Sequence, residues 1–123
     1  MRILGVDPGL GTTGYGAVRA EGNRFQLIEG GVVSTRRSDP LEKKLSTLRH
    51  GIQKVIEDCR PEVVILEELY SHTRHPRTAI LMGHARGVLL SVCSENALPV
   101  VHFPAKTVKK AIVGNGNATK TQI

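Results

Sequence analysis

Short apolar runs and alternating apolar positions dominate the first third of the chain, and both patterns are typical of strands. Residues 2–7 read RILGVD, and two further strand-like segments cover 15–19 and 25–34. The polar segment 21–23 predicts a hairpin turn between the second and third strands. The paired glycines at 30–31 predict a bulge or another irregularity in the third strand. The sequence therefore predicts three antiparallel strands at its start.

A helical spacing of apolar residues follows, formed by Leu41, Leu45, Leu48, Ile52, Val55 and Ile56. Asp39 and Pro40 precede it as the expected N-cap and first helical residue, and Glu42 takes the third helical position. The helix is predicted to end near 59–61, where Cys-Arg-Pro interrupts the pattern. The apolar run at 63–67 then predicts a fourth strand.

A second helix is predicted over 76–95, and its apolar surface is wider than packing on one sheet requires. That width indicates a second buried face, packed against a partner chain. Residues 99–103 predict a fifth strand, a short basic helix follows to about residue 113, and another helix begins near residue 118. This order predicts an α/β fold with a mixed five-stranded sheet and helices on both faces, in three layers.

Length and composition narrow the class of protein. A chain of 123 residues is expected to form a single domain, here 1–123. Tryptophan is absent and aromatic residues make up 3%, which disfavours a surface built on stacked bases. Since neither a membrane span nor a secretory leader is recognisable, the sequence predicts a cytoplasmic protein. Cys59 and Cys93 are expected to be buried free thiols.

The charge is unevenly distributed along the chain. The formal net charge is +6, yet residues 1–68 hold equal numbers of acidic and basic side chains. The excess therefore lies in residues 69–123, where Glu95 is the single acidic residue. The basic residues there are Arg74, Arg77, Arg86, Lys106, Lys109, Lys110 and Lys120. This half of the chain is expected to face a polyanion, with a merely solvated basic face as the alternative.

Two carboxylates stand at predicted strand ends. Asp7 closes the first strand and Glu67 closes the fourth. If these strands pair in parallel, both carboxylates meet at one sheet edge and can hold Mg²⁺ for phosphodiester hydrolysis. Asp7 alone could instead cap the Asp-Pro-Gly turn. By strand alternation Glu68 points away from the face of Glu67, and Tyr70 on the exit loop could contact a base or close the core.

The glycine-rich opening also admits a phosphate-cradle interpretation. Backbone amides of the loop with Thr12 and Thr13 could hold a nucleotide, as in an actin-like half-domain. That fold requires a second domain around the nucleotide, which 123 residues do not provide.

Four segments together resemble the RuvC family of Holliday junction resolvases: RILGVDPGLGTTGYG, VVILEELY, GHARGV and AKTVKKAIVGNGNATKTQ. The resemblance spans residues 2–123 and implies an RNase H-like fold. It also implies a homodimer that nicks four-way DNA junctions symmetrically in recombination and repair. The RuvA–RuvB branch-migration complex is a candidate further partner.

The resemblance also implies roles for individual residues. Asp7 and Glu67 match two of four catalytic, metal-binding carboxylates, with Asp7 bridging two Mg²⁺ ions that Mn²⁺ could replace. Tyr70 matches an aromatic near the junction centre, and Lys109 and Lys120 match functional lysines. Further, more general DNA contacts are expected from Arg74, Arg77, Lys106 and Lys110.

The family's other two carboxylates belong to a terminal helix with an AADAL-like segment, which this sequence does not contain. The chain is therefore expected to be a fragment of a resolvase, inactive at this length, rather than a module that binds junctions without cutting them. A related nuclease acting on ribosomal RNA precursors is disfavoured, because DPG replaces its first-strand motif.

Overall fold

The computed structural model describes residues 1–68 and 75–103, which form a five-stranded sheet and two helices. The elements are β1 (Arg2–Asp7), β2 (Thr12–Glu21), β3 (Arg24–Ser34), α1 (Leu41–Cys59), β4 (Val63–Glu67), α2 (Pro76–Glu95) and β5 (Val100–Phe103). All the strands and helices predicted within these residues are present. The predicted helices after β5 lie outside the described residues. No helix in the described ranges has the length and apolarity needed to cross a membrane.

The sheet has the order β3-β2-β1-β4-β5. β1 pairs with β2, and β2 with β3, in antiparallel directions, whereas β4 lies parallel to both β1 and β5. The mixed five-stranded sheet predicted from the sequence is therefore confirmed, including its antiparallel first three strands. The parallel pairs require crossover connections, which α1 and α2 provide.

The hydrophobic core lies on one face of this sheet. Leu4 and Val6 of β1 alternate with less buried residues, and Val64 and Leu66 lie beside them on β4. Both described helices pack on this face and on each other. Their buried core residues are Leu48, Ile52, Val55, Ile56, Cys59, Ala85, Leu89, Val92 and Cys93. Helices are predicted on both faces, and α1 and α2 cover one of them; the helices predicted after Phe103 lie outside the described residues.

The β2–β3 hairpin differs from the prediction in one detail. Ala17 pairs with Glu29 and Val18 with Leu27, so Ile28 is the extra residue and the bulge does not lie at the paired glycines. Gly31 instead lies against the Tyr15 side chain: a Cβ added there would lie 2.9 Å from the Tyr15 hydroxyl oxygen. Its missing side chain makes room for the tyrosine ring.

The predicted cap of α1 is also wrong. Pro40 occupies the N-cap position, and no side chain donates or accepts a capping hydrogen bond there. The backbone amides of Lys43 and Lys44 instead donate to the Pro40 carbonyl, both at 3.0 Å. Asp39 thus lies one residue too early for its carboxylate to serve as the N-cap acceptor.

A buried thiol joins α1 to the edge of the sheet. The Cys59 thiol donates a hydrogen bond to the Glu29 carboxylate at 3.0 Å, and the Tyr15 hydroxyl donates to its other oxygen at 3.4 Å. Burial, reinforced by Glu29, raises the pKa of Cys59 to about 12, and burial also raises the pKa of Cys93. Both cysteines are buried and free, as predicted, and are protonated at neutral pH.

Gly51 of α1 lies against Val33 of β3, and its replacement tests this contact. A Cβ on Gly51 would lie 2.5 Å from Val33 Cγ1, so Gly51→Ala should cost about 1–3 kcal/mol of unfolding free energy through overpacking. Adding Val33→Ala removes the clashing methyls, so the double variant should lose less stability than the two single losses added together. Urea unfolding measures all three.

The matched control is Gly83→Ala in α2, where nothing lies within 4 Å of the added Cβ. It should stabilise the protein by up to about 1 kcal/mol through helix propensity. Additive losses at Gly51 and Val33 would contradict the predicted contact.

Candidate active site at the ends of β1 and β4

Asp7 and Glu67 are the last residues of two neighbouring parallel strands. Val6 pairs with Leu66, and each carboxylate follows immediately after its member of that pair. Adjacent strands lie about 4.8 Å apart, so the two carboxylates meet at one edge of the sheet. The parallel pairing on which the predicted carboxylate site depends is therefore present.

The two carboxylates also share a face of the sheet. Val6 and Leu66 are core residues at 5% and 1% exposure, so by alternation Asp7 and Glu67 lie on the face opposite the helices. Asp7 is exposed and Glu67 is half-buried, whereas Glu68 is exposed and belongs to the other face. The core and the carboxylates thus occupy opposite faces of the same strands.

A small cleft lies at this strand edge. Its lining consists of Asp7, Pro8, Glu67, Glu68, Met82 and Arg86. Three carboxylates and one guanidinium therefore surround it, with Met82 and Arg86 contributed by α2. Such a set combines oxygen donors for a cation with a fixed positive charge beside them.

The loop after Asp7 is held in place by Thr13, which is fully buried. The Thr13 hydroxyl donates to the Gly9 carbonyl at 2.7 Å and accepts from the Gly9 amide at 3.1 Å. A Cβ on Gly9 would lie 2.3 Å from the Thr12 carbonyl oxygen, so this position has no room for a side chain. The turn that follows Asp7 is therefore fixed by one hydroxyl and one glycine.

The end of β3 fastens the same loop from the other side. The Thr35 hydroxyl donates to the Leu10 carbonyl at 2.8 Å, and the Thr35 amide donates to the Gly11 carbonyl at 2.9 Å. Because the Thr13 hydroxyl and the Gly9 amide bond each other, neither is presented to a nucleotide. These two groups are therefore not available to the phosphate-cradle alternative.

Arg77 is the one predicted DNA-contacting residue within the described ranges. It is exposed in the first turn of α2. The predicted contacts Tyr70, Arg74, Lys106, Lys109, Lys110 and Lys120 lie outside the described residues. Their roles therefore stay predictions from the sequence.

The donor set fits a hard divalent cation. Asp7 and Glu67 supply carboxylate oxygens, the ligand type that Mg²⁺ prefers, and Mg²⁺ usually keeps several waters beside one or two carboxylates. Within residues 1–68 and 75–103, no group of three or more histidine, cysteine and acidic side chains is placed to hold a metal. The described residues thus offer a pair of ligands rather than a closed cage.

A larger cavity, of about 400 Å³, lies at the start of α1. Its lining residues are Ser34, Arg36, Asp39, Lys43 and Thr47. Since it holds a single carboxylate among basic and hydroxyl side chains, it lacks the paired acids found at the ends of β1 and β4. The smaller cleft is the better candidate for hydrolytic chemistry.

Sequence reasoning missed the roles of two residues at the site. Thr13 was considered for its backbone alone, although a threonine buried next to a glycine turn commonly bonds local backbone. Arg86 appears in the sequence analysis among the basic residues and within the GHARGV segment, but no role of its own is inferred there. Its position next to Ala85, inside the apolar stripe of α2, was the available indication that its charge is directed at something specific.

The sequence model of the family described as "Crossover junction endodeoxyribonuclease RuvC" matches residues 3–123. The chain belongs to the RuvC family. The resemblance inferred from its four motifs is thereby confirmed.

Individual RuvC proteins agree over most of the chain. The RuvC of Rhodopirellula baltica is 47% identical over 121 residues, covering 98% of this chain and 68% of its own length. The RuvC of Syntrophotalea carbinolica is 40% identical, covering 100% of this chain and 76% of its own. The solved structure of T. thermophilus RuvC in complex with Holliday junction substrate matches with a TM-score of 0.83 and 30% identity, covering 91% and 71% of the two chains. These matches confirm the RNase H-like fold class.

The role of Thr13 can be tested with two variants of similar size. Thr13→Val keeps the shape but leaves the Gly9 amide and carbonyl without their partner, which should cost about 1–3 kcal/mol of unfolding free energy. Thr13→Ser keeps the hydroxyl and should lose only about 0.8 kcal/mol for one methyl group. Denaturant unfolding compares them. A Thr13→Val variant as stable as Thr13→Ser would contradict the anchoring role.

Proposed function

We propose that this RuvC family member resolves four-way DNA junctions by metal-dependent hydrolysis of phosphodiester bonds, with Asp7 and Glu67 in its active site. The observation that carries the proposal is the parallel pairing of β1 with β4, which brings these two carboxylates to one edge of the sheet. The family is named for a crossover junction endodeoxyribonuclease, and a related RuvC was solved with Holliday junction substrate.

Asp7 and Glu67 would hold Mg²⁺ at the strand ends, and Mn²⁺ would bind the same oxygen donors. When bound, the metal supplies an activated water and stabilises the leaving oxygen, and the family resemblance favours two ions per complete site. Asp7 is exposed, so its carboxylate is open to solvent and to a phosphate approaching the edge. Glu67, half-buried beside it, offers a more constrained ligand.

The polyanion partner would be the junction itself. Arg77 is exposed at the start of α2, which is the next helix in the sequence after Glu67. The predicted contacts outside the described residues, Tyr70, Arg74, Lys106, Lys109, Lys110 and Lys120, extend this basic region by sequence. Because these cations neutralise phosphates, binding should depend strongly on salt.

A homodimer would make two cuts symmetric, because a two-fold pair of sites matches a nearly two-fold junction. The support lies in α2, which carries apolar side chains outside the buried core. Ile80 is 62% exposed and Leu81 is half-buried. An association with the RuvA–RuvB complex and a cytoplasmic location are also proposed, on the family resemblance.

Asp7→Asn tests the assignment of the active site. The change keeps the size of the side chain but removes the charge that would hold the metal, so nicking should fall by orders of magnitude while junction binding persists. Both are measured with the complete gene product on a synthetic four-way junction. Asp39→Asn, at the start of α1, is the matched control and should cut normally. Wild-type nicking by Asp7→Asn would show that the assignment is wrong.

Lys109→Ala tests the phosphate contacts. Losing one such contact should weaken junction binding and reduce the slope of log K against log salt by about one. Fluorescence anisotropy over a series of salt concentrations gives the slope. Lys54→Ala removes an exposed lysine of α1 and should leave the slope unchanged. Equal slopes for wild type and Lys109→Ala would count against the predicted contact.

A further inference from the structure

Arg86 connects α2 to the ends of two strands. One guanidinium nitrogen donates to the backbone carbonyl of Glu67, and the other lies in hydrogen-bond contact with Nδ1 of His102. The same side chain lines the cleft that contains Asp7. A residue of the helix layer thus reaches the strand edge where the carboxylates lie.

The chemistry of this contact fixes the roles of both partners. Arginine only donates, so Nδ1 of His102 must accept, and the neutral imidazole carries its proton on Nε2. The planar guanidinium can serve two acceptors at once in a fixed geometry, which the single ammonium of a lysine does not reproduce. The contact is therefore specific to arginine.

The two acceptors belong to neighbouring parallel strands. Glu67 is the last residue of β4 and pairs with Phe103 of β5, one residue after His102. The Glu68 amide continues the ladder by donating to the Phe103 carbonyl at 2.7 Å. Arg86 thus links β4 and β5 at the point where their regular pairing ends.

The position and burial of Arg86 indicate that its side chain helps to hold the structure together. Its neighbour Ala85 is fully buried, and Leu89, one helical turn later, is 1% exposed. Arg86 is itself half-buried, so its charge requires hydrogen-bond partners at the strand edge rather than solvent alone. One acceptor is the carbonyl of Glu67 itself, and the other is on His102, which pairs with Leu66, the residue before Glu67.

We propose that Arg86 is a positioning residue for Glu67: its forked hydrogen bonds to the Glu67 carbonyl and to His102 fix the end of β4, and thereby the direction of the Glu67 carboxylate. The proposal rests on the metal-binding role proposed for Glu67. It assigns to Arg86 an action on the Glu67 carboxylate through the backbone of the same residue.

Arg86→Lys is the variant that separates positioning from charge, because it keeps the positive charge and loses the fork. Amide hydrogen exchange on the 123-residue chain should be at least about tenfold faster at Glu68, since the strand end opens more often. In the complete gene product, single-turnover nicking should fall about ten- to a hundredfold, and half-maximal rate should need more Mg²⁺. Junction affinity in Ca²⁺ should stay within about twofold, since the charge that steers DNA is kept.

Arg49→Lys is the matched control, because Arg49 is a surface arginine of α1 paired with Glu95. It should leave exchange at Glu68, the nicking rate and the Mg²⁺ dependence unchanged. Unchanged exchange at Glu68 in Arg86→Lys would overturn the proposal. If exchange is unchanged and junction affinity also falls tenfold or more, the result would identify Arg86 as a phosphate contact instead.

Glu67→Gln separates this proposal from the function on which it rests. If Glu67→Gln nicks like the wild type, the role of Glu67 fails and the positioning role fails with it. If Glu67→Gln is inactive while Arg86→Lys nicks normally, only the role of Arg86 is overturned. Inactive Glu67→Gln and slow Arg86→Lys, with faster exchange at Glu68, support both.

Discussion

The parallel pairing of β1 with β4 is the constraint on which the site depends. These strands are separated in sequence by a hairpin and a helix, yet Leu4 lies beside Val64 and Val6 beside Leu66. The register of these four apolar residues is set by burial, because a slip of one residue would turn each apolar side chain away from the helices. The same register fixes Asp7 next to Glu67, so the core determines the placement of the carboxylates.

Backbone hydrogen bonds support the two carboxylates in different ways. Behind Asp7, the Thr13 hydroxyl closes the turn at Gly9, and Thr35 fastens the rest of the loop to the end of β3. Behind Glu67, Arg86 contacts the carbonyl of the same residue from α2. Each strand end is thus held by a side chain from another element, which is the kind of support that a preorganised site requires.

Much of this arrangement could be predicted from the sequence, because apolar periodicity and strand ends are local features. The bounds of α2 and β4 and the edge shared by Asp7 and Glu67 follow from them. The bulge at Ile28 could not be predicted, since it depends on how two strands pair, and Gly31 is explained by the ring of Tyr15 rather than by its own backbone. The contacts of Arg86 likewise depend on the packing of α2, which no local pattern encodes.

The separation of core and carboxylates onto opposite faces of β1 and β4 has a genetic consequence. A substitution at Asp7 changes neither Val6 nor Leu66, so it should leave the folded protein at normal abundance in the cell. If Asp7 has the metal-binding role proposed for it and the DNA-binding surface is intact, such a protein would still occupy junctions without resolving them. Alleles of this kind should interfere with a wild-type copy expressed beside them, whereas core alleles that prevent folding should behave as simple losses.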